Sequence, residues 1–83
     1  MLETLLKVYY QAHAKYQSLT LRLTHDKIAD WELLIEHGDS HAIICHANGF
    51  FLTDLAVQGY IALNKWLDKK DDANEYLASA QIF

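Results

Sequence analysis

Proline is absent from this 83-residue chain, glycine occurs three times and cysteine once. With no Pro-rich or Gly/Ser-rich stretch there is nothing that reads as a linker and no segment of low complexity, so one compact domain over residues 1–83 is expected. The lone Cys45 has no internal partner, which excludes a disulfide-stapled mini-domain. No run approaches the roughly 20 apolar residues of a membrane span. The start, Met1-Leu2-Glu3-Thr4-Leu5-Leu6-Lys7, lacks a basic segment followed by a continuous apolar core. A cytoplasmic location with no membrane partner is the expectation. Positive charge is short as well: seven Lys and Arg stand against eleven Asp and Glu, a formal −4. That balance disfavours direct nucleic-acid binding and favours basic partners or none.

What the chain has in quantity is apolar side chain, 52% of the residues with 12% aromatic, enough for one core at this length and too much for intrinsic disorder. Leu2, Leu5, Leu6, Tyr9, His13 and Tyr16 recur at helical spacing and predict an amphipathic helix over residues 2–17, with His13 a packed histidine at the core edge. From Ser18 the period becomes two. Leu19, Leu21 and Leu23 alternate with Thr20, Arg22 and Thr24, a first strand with one wet face. Residues 25–30 read as a polar turn that Ile28 pins to the core. Trp31, Leu33 and Ile35 alternate with Glu32, Leu34 and Glu36 in a second strand, and Gly38-Asp39-Ser40 reverses the chain. In the third strand, residues 41–47, the inward set is either Ala42, Ile44 and His46 or Ile43, Cys45 and Ala47, since both faces are mainly apolar.

Asn48-Gly49 signals a turn, with Asn48 or Thr53 as a cap for a helix whose stripe is Leu52, Leu55, Ala56, Gly59, Ala62, Leu63 and Trp66. Gly59 in mid-helix implies a close approach to a strand or to the first helix. Val57, Tyr60 and Ile61 widen the apolar surface and are candidates for self-association as a homodimer. Asp68-Lys69-Lys70-Asp71-Asp72 reads as a solvated connection to a short C-terminal helix over 72–81, started by the Asp72/Glu75 pair and carrying Tyr76, Leu77 and Ala80 on one side. Ile82 and Phe83 fold back on the core or join an interface. The fold class is α+β: a three-stranded antiparallel sheet with helices on one face, in the order α-β-β-β-α-(α).

Chemistry has few places to reside. His37 and His41 flank one turn and are the metal candidates, with Asp39, Cys45 and His46 nearby, but the spacing matches no pattern of paired zinc ligands. Two solvated turn histidines and a small buried thiol are the plainer reading, and no metal or cofactor is expected. Cys45 sits mid-strand among apolar residues and acids, where a thiol pKa rises and nucleophilicity falls. No Ser-His-Asp order, phosphate loop or paired-carboxylate motif is present, so the chain is expected not to be an enzyme. Between Asp26 and Asp54 there are six acids against one base, Lys27, and Asp30, Glu32, Leu34, Glu36 and Asp39 suggest an acidic face with an apolar centre that contacts a basic protein surface.

The order α-β-β-β-α over residues 2–68 resembles the topology of double-stranded RNA-binding domains. That resemblance implies phosphate contacts from lysines at the start of the last helix. Here the stretch is Phe51-Leu52-Thr53-Asp54, with no lysine before Lys65. No binding residue is carried over, and RNA binding stands as an alternative. The general profile of a small, acidic, linker-free chain without a catalytic motif is similar to that of phage and mobile-element inhibitors of host nucleic-acid machinery, such as anti-CRISPR proteins. In that reading the acids meet Lys and Arg on the target, and Leu34 fills a pocket.

Overall fold

Helical spacing at both ends of the chain and a period of two between them draw two helices onto one face of a single sheet. The structure, a computed structural model, describes residues 1–28 and 30–81, with side chains through Asp71. The elements are α1 (Leu2–Lys15), β1 (Leu19–Asp26), β2 (Asp30–His37), β3 (Ala42–Gly49) and α2 (Leu52–Gln81). The sheet is antiparallel in the order β1-β2-β3. The expected α-β-β-β-α arrangement is therefore present.

Leu5 and Ala12 are the fully buried residues of α1, and the Tyr9 hydroxyl donates to the Leu19 carbonyl at 3.1 Å, tying the helix to β1. His13 is exposed, against the expectation of a core-edge histidine. The buried line runs through Ala12, whose small side chain fits the groove between α1 and α2. The next residue is turned about 100° away by the helical repeat. Leu19, Leu33, Ile35, Leu55 and Leu63 complete the centre of the core with Leu5.

Gly59 is where α2 comes closest to its neighbours. A Cβ there would lie 2.6 Å from Leu33 Cδ2 and 3.1 Å from Leu5 Cδ2, so the missing side chain lets the helix sit between strand and α1 as its position in the stripe implied. Further along, Lys15 Nζ meets Asp71 Oδ1 at 2.7 Å. Since α1 advances from Leu5 to Lys15 as α2 advances from Gly59 to Asp71, the two helices run parallel.

Three segments depart from expectation. The β1–β2 connection is a tight turn stabilised by a polar contact, the Ile28 N–H donating to Asp26 Oδ1 at 2.9 Å, and Ile28 is 93% exposed at its tip instead of pinned to the core. Asn48 and Gly49 continue β3, Gly49 pairing with Trp31. The following helix begins at Leu52 beneath the Phe51 carbonyl, which accepts the Asp54 amide at 3.1 Å. Asn48 thus belongs to the strand and Thr53 to the first helical turn. The segment 68–72 is helical, so α2 runs unbroken to Gln81 and no separate helix starts at Asp72. It contains neither Gly nor Pro to stop a helix. Two of its charges find partners: Asp71 with Lys15, and Lys70 Nζ 5.6 Å from the Trp66 ring centre. The side chains of Asp72, Glu75, Tyr76, Leu77 and Ala80, and the Ile82-Phe83 end, lie outside what the structure describes.

The third strand takes neither of the two inward sets whole. Ile35 pairs with Cys45, yet Glu36 pairs with Ile43, so Ile44 is an extra residue, a β-bulge. On one side of it Cys45 and Ala47 are buried; on the other Ile44 and Ala42 turn partly inward, while Ile43 is 65% exposed.

Candidate functional site

Neither helix covers the outer face of the sheet, and the strand register fixes what lies on it. Reading across the strands, Thr24, Glu32 and Asn48 form one row, Arg22, Leu34 and His46 the next, and Thr20, Glu36 and Ile43 the third. Asp26 pairs with Asp30 at the β1–β2 end. Strand alternation therefore brings Glu32, Leu34 and Glu36 together, as the sequence implied. Asp30 closes the face at the turn, held with φ at 62°. Asp39 does not join them. It lies in the turn beyond the far end of the eight-residue β2, and its N–H donates to Ser18 Oγ at 3.1 Å.

The face is less uniformly negative than the order of residues along β2 suggested. Cross-strand neighbours place Arg22 and His46 on either side of Leu34, and His46 Nε2 lies 3.3 Å from Glu32 Oε2. Two acidic zones, Asp26-Asp30-Glu32 and Glu36, thus flank a row in which an apolar side chain separates two nitrogen bases. Asp26, counted among the acids but assigned by its surroundings to the 25–30 turn, belongs to this group. Pairing with Asp30 adds it to the strand.

His37 and His41 occupy different environments. His37 is 7% exposed, its Nδ1 2.7 Å from Ser40 Oγ and its ring 4.9 Å from the Trp66 ring and 6.0 Å from that of Tyr16. It is a packed histidine at the inward end of β2, in phase with Leu33 and Ile35, rather than a solvated turn residue. His41 is exposed in the turn, in the left-handed region at φ 55°. Among the described residues no three His, Cys, Asp or Glu side chains come together in a way that could hold a metal ion. Cys45 is 9% exposed, and burial pushes its thiol pKa up, away from the thiolate that nucleophilic chemistry needs.

Of the residues proposed for self-association, Val57 and Tyr60 are partly buried, Tyr60 against the core, and Ile61 is 48% exposed. Larger exposed apolar side chains sit elsewhere: Phe50 at 76% and Phe51 at 70%, just before α2, and Ile43 on β3. Among the described residues no helix is long and apolar enough to cross a membrane. No protein-family model, no curated protein and no solved structure matches the chain.

Proposed function

We propose that the chain is a non-catalytic protein-binding module that docks its outer sheet face on a basic surface of another protein. The observation that carries this reading is the register: it gathers Asp26, Asp30, Glu32 and Glu36 around the partly buried Leu34 on a sheet face that no helix covers. Strands are a stiff frame for such a face, so little ordering cost accompanies docking. The acids steer and orient, Leu34 supplies the apolar anchor, and Arg22 selects for a carboxylate or carbonyl at the centre of the target. Asp39, at the far turn, adds to the field without belonging to the contact.

A protein groove that otherwise holds nucleic acid presents a surface of this kind. Occupying it would make the chain an inhibitor of host nucleic-acid machinery, acting as anti-CRISPR proteins do, in the cytoplasm of the host cell. The RNA-binding alternative has less behind it, because the start of α2 carries Asp54 and no base.

The test is an affinity capture from the source cell with the wild-type chain and the Glu32→Lys/Glu36→Lys variant as parallel baits, followed by binding measurements on whatever basic protein is enriched. Reversing two rim charges should weaken the complex at least ~10-fold and flatten its salt dependence. Both carboxylates are solvent-facing, so the variant should keep its fold. Equal capture and equal affinity by the two baits would refute this use of the face.

A further inference from the structure

The two edges of the sheet differ in a way the outer face does not explain. β1 carries Arg22, His25 and Asp26, whereas the eight residues of β3 include no Lys, Arg, Asp, Glu or Pro. His46 is its one basic side chain, and although the bulge at Ile44 interrupts the ladder to β2, an edge of that composition holds out unpaired N–H and C=O groups without the Lys, Arg, Asp, Glu or Pro that keep strands from joining. Among the described residues nothing pairs with it. Alongside it, Ile43, Ile44, Ala62 and Trp66 line a groove bordered by Lys65 and Lys69 of α2.

We propose that a second copy of this chain closes this edge, β3 pairing antiparallel with its counterpart about a two-fold axis near Cys45 and His46 to form one six-stranded sheet. The case rests on self-complementarity. α2 runs antiparallel to β3: a Cβ at Gly49 would touch Leu55 Cδ1 at 3.4 Å, and Lys65 and Trp66 lie beside Ile43 and Ile44. The middle of β3, between Cys45 and His46, therefore lies under the part of α2 around Ile61 and Ala62. On the flank of α2 that borders the groove, Asp54, Gln58, Lys65 and Lys69 recur at helical spacing, and the centre of that set also falls between Ile61 and Ala62.

A two-fold axis at that point sets Asp54 of each copy toward Lys69 of the other, and Gln58 toward Lys65. An acidic segment from some other protein would answer the lysines and leave Asp54 facing like charge. A second copy answers both, and an interface that uses the same patch twice is the ordinary form of a homodimer. Association would cover Ile43 and set two outer faces in one plane, doubling the acidic surface. It draws on β3 and α2 and uses none of the acids, Arg22 or Leu34 of the proposed docking face, with Ile43 alone standing in an outer-face row, beside Glu36, so either reading can fail alone.

Sedimentation velocity from low micromolar to near-millimolar concentration tests it. The wild type should convert from monomer to dimer as concentration rises. Ile43→Lys, at an exposed position, should be monomeric throughout, while Ile28→Lys on the opposite turn should behave as wild type. Asp54→Lys and Lys69→Asp should each weaken association ~10-fold, and the two together should restore it. In the dimer, alternate β3 amides that point away from β2 should become slow to exchange with solvent. A wild type that stays monomeric would overturn the proposal, as would a dimer indifferent to Ile43→Lys and to the charge swap.

Discussion

Replacing Gly59 by alanine sets two effects of opposite sign against each other, and the structure decides between them. In an exposed helix the change would stabilise by about 1 kcal/mol, because alanine loses less backbone freedom on folding. Here the new Cβ arrives 2.6 Å from Leu33 Cδ2, 3.1 Å from Leu5 Cδ2 and 3.4 Å from Ile35 Cδ1. The first distance is far inside van der Waals contact. A leucine terminus in a loose site would swing away at little cost, but Leu33 is 1% exposed and Leu5 0%, so each would have to move into other core side chains. Inserting a methyl group into such a site costs about 1–3 kcal/mol. With the helix-propensity gain deducted, Gly59→Ala should destabilise the fold by up to about 2 kcal/mol.

Urea denaturation at one fixed protein concentration measures this. With an m-value near the lower end for small domains, about 1 kcal/mol/M, the midpoint should fall by up to roughly 2 M. The cause is separable from the effect. Leu33→Ala alone should cost about 2–5 kcal/mol by opening a cavity. In that background the alanine methyl has room, so Gly59→Ala should become neutral or stabilising, a coupling of at least about 1 kcal/mol between the two sites. If Gly59→Ala instead raises the midpoint in the wild-type background, the helix does not lie as close to Leu33 as described, and the account of the core is wrong.

Two further outcomes follow from ionisable groups. The Lys15 ammonium donates to Asp71 Oδ1, with the Tyr16 hydroxyl donating to the same oxygen at 3.2 Å; the Lys15 hydrogen bond holds the Asp71 pKa below the usual carboxylate value and raises that of Lys15. The carboxylate's contribution is in place above its unfolded pKa and lost as pH falls through the lowered native one. The lysine's is in place below its unfolded pKa and lost as pH rises through the raised one, so the pair is intact across the neutral range. Because both groups are exposed, Lys15→Met should change global stability little. It should still move the Asp71 carboxyl titration midpoint upward by NMR, and an unmoved midpoint would remove the ion pair. For Cys45, alkylation by iodoacetamide at mildly alkaline pH should be at least ~10-fold slower in the folded chain than in urea, and equal rates would show that the thiol is neither buried nor raised.

Much of this architecture was legible because period and burial coincide. Leu19, Leu33, Ile35, Leu55 and Leu63 are each in phase with their element and each ends in the core. The misreadings arose where one residue served two patterns. Ala12 and His13 are adjacent on α1, and hydropathy spacing favoured the larger stripe through His13; what selects Ala12 is the approach of α2, a tertiary fact. The charges at 68–72 read as a loop because a linear scan cannot see that Lys15 and Trp66 wait for them across or along the surface. For the outer face, Glu32, Leu34 and Glu36 follow from alternation alone. That Arg22 and His46 flank Leu34 depends on registers between strands, which no single strand encodes. The inward position of His37 was available from its phase with Leu33 and Ile35, and the turn residues beside it hid that signal.

The ambiguity of β3 is informative in its own right. Its two candidate inward sets could not be told apart because Ala42 to Gly49 is apolar or neutral on both faces, and the bulge at Ile44 uses that freedom: one strand can change which side it buries only if neither side carries a charge that must stay wet. The same lack of charge leaves its free edge open. A strand that needed only to cap a sheet could place a lysine at the position of Ile43, which is largely exposed and outside the core, at almost no cost to folding. That an isoleucine stands there, facing a groove walled by Trp66 and edged by two lysines, is better accounted for by an edge that is covered in use than by one left to water. The substitution Ile43→Lys therefore bears on more than oligomeric state. If it leaves stability unchanged and abolishes association, the apolar character of β3 serves assembly; if it unfolds the chain, that character serves the core.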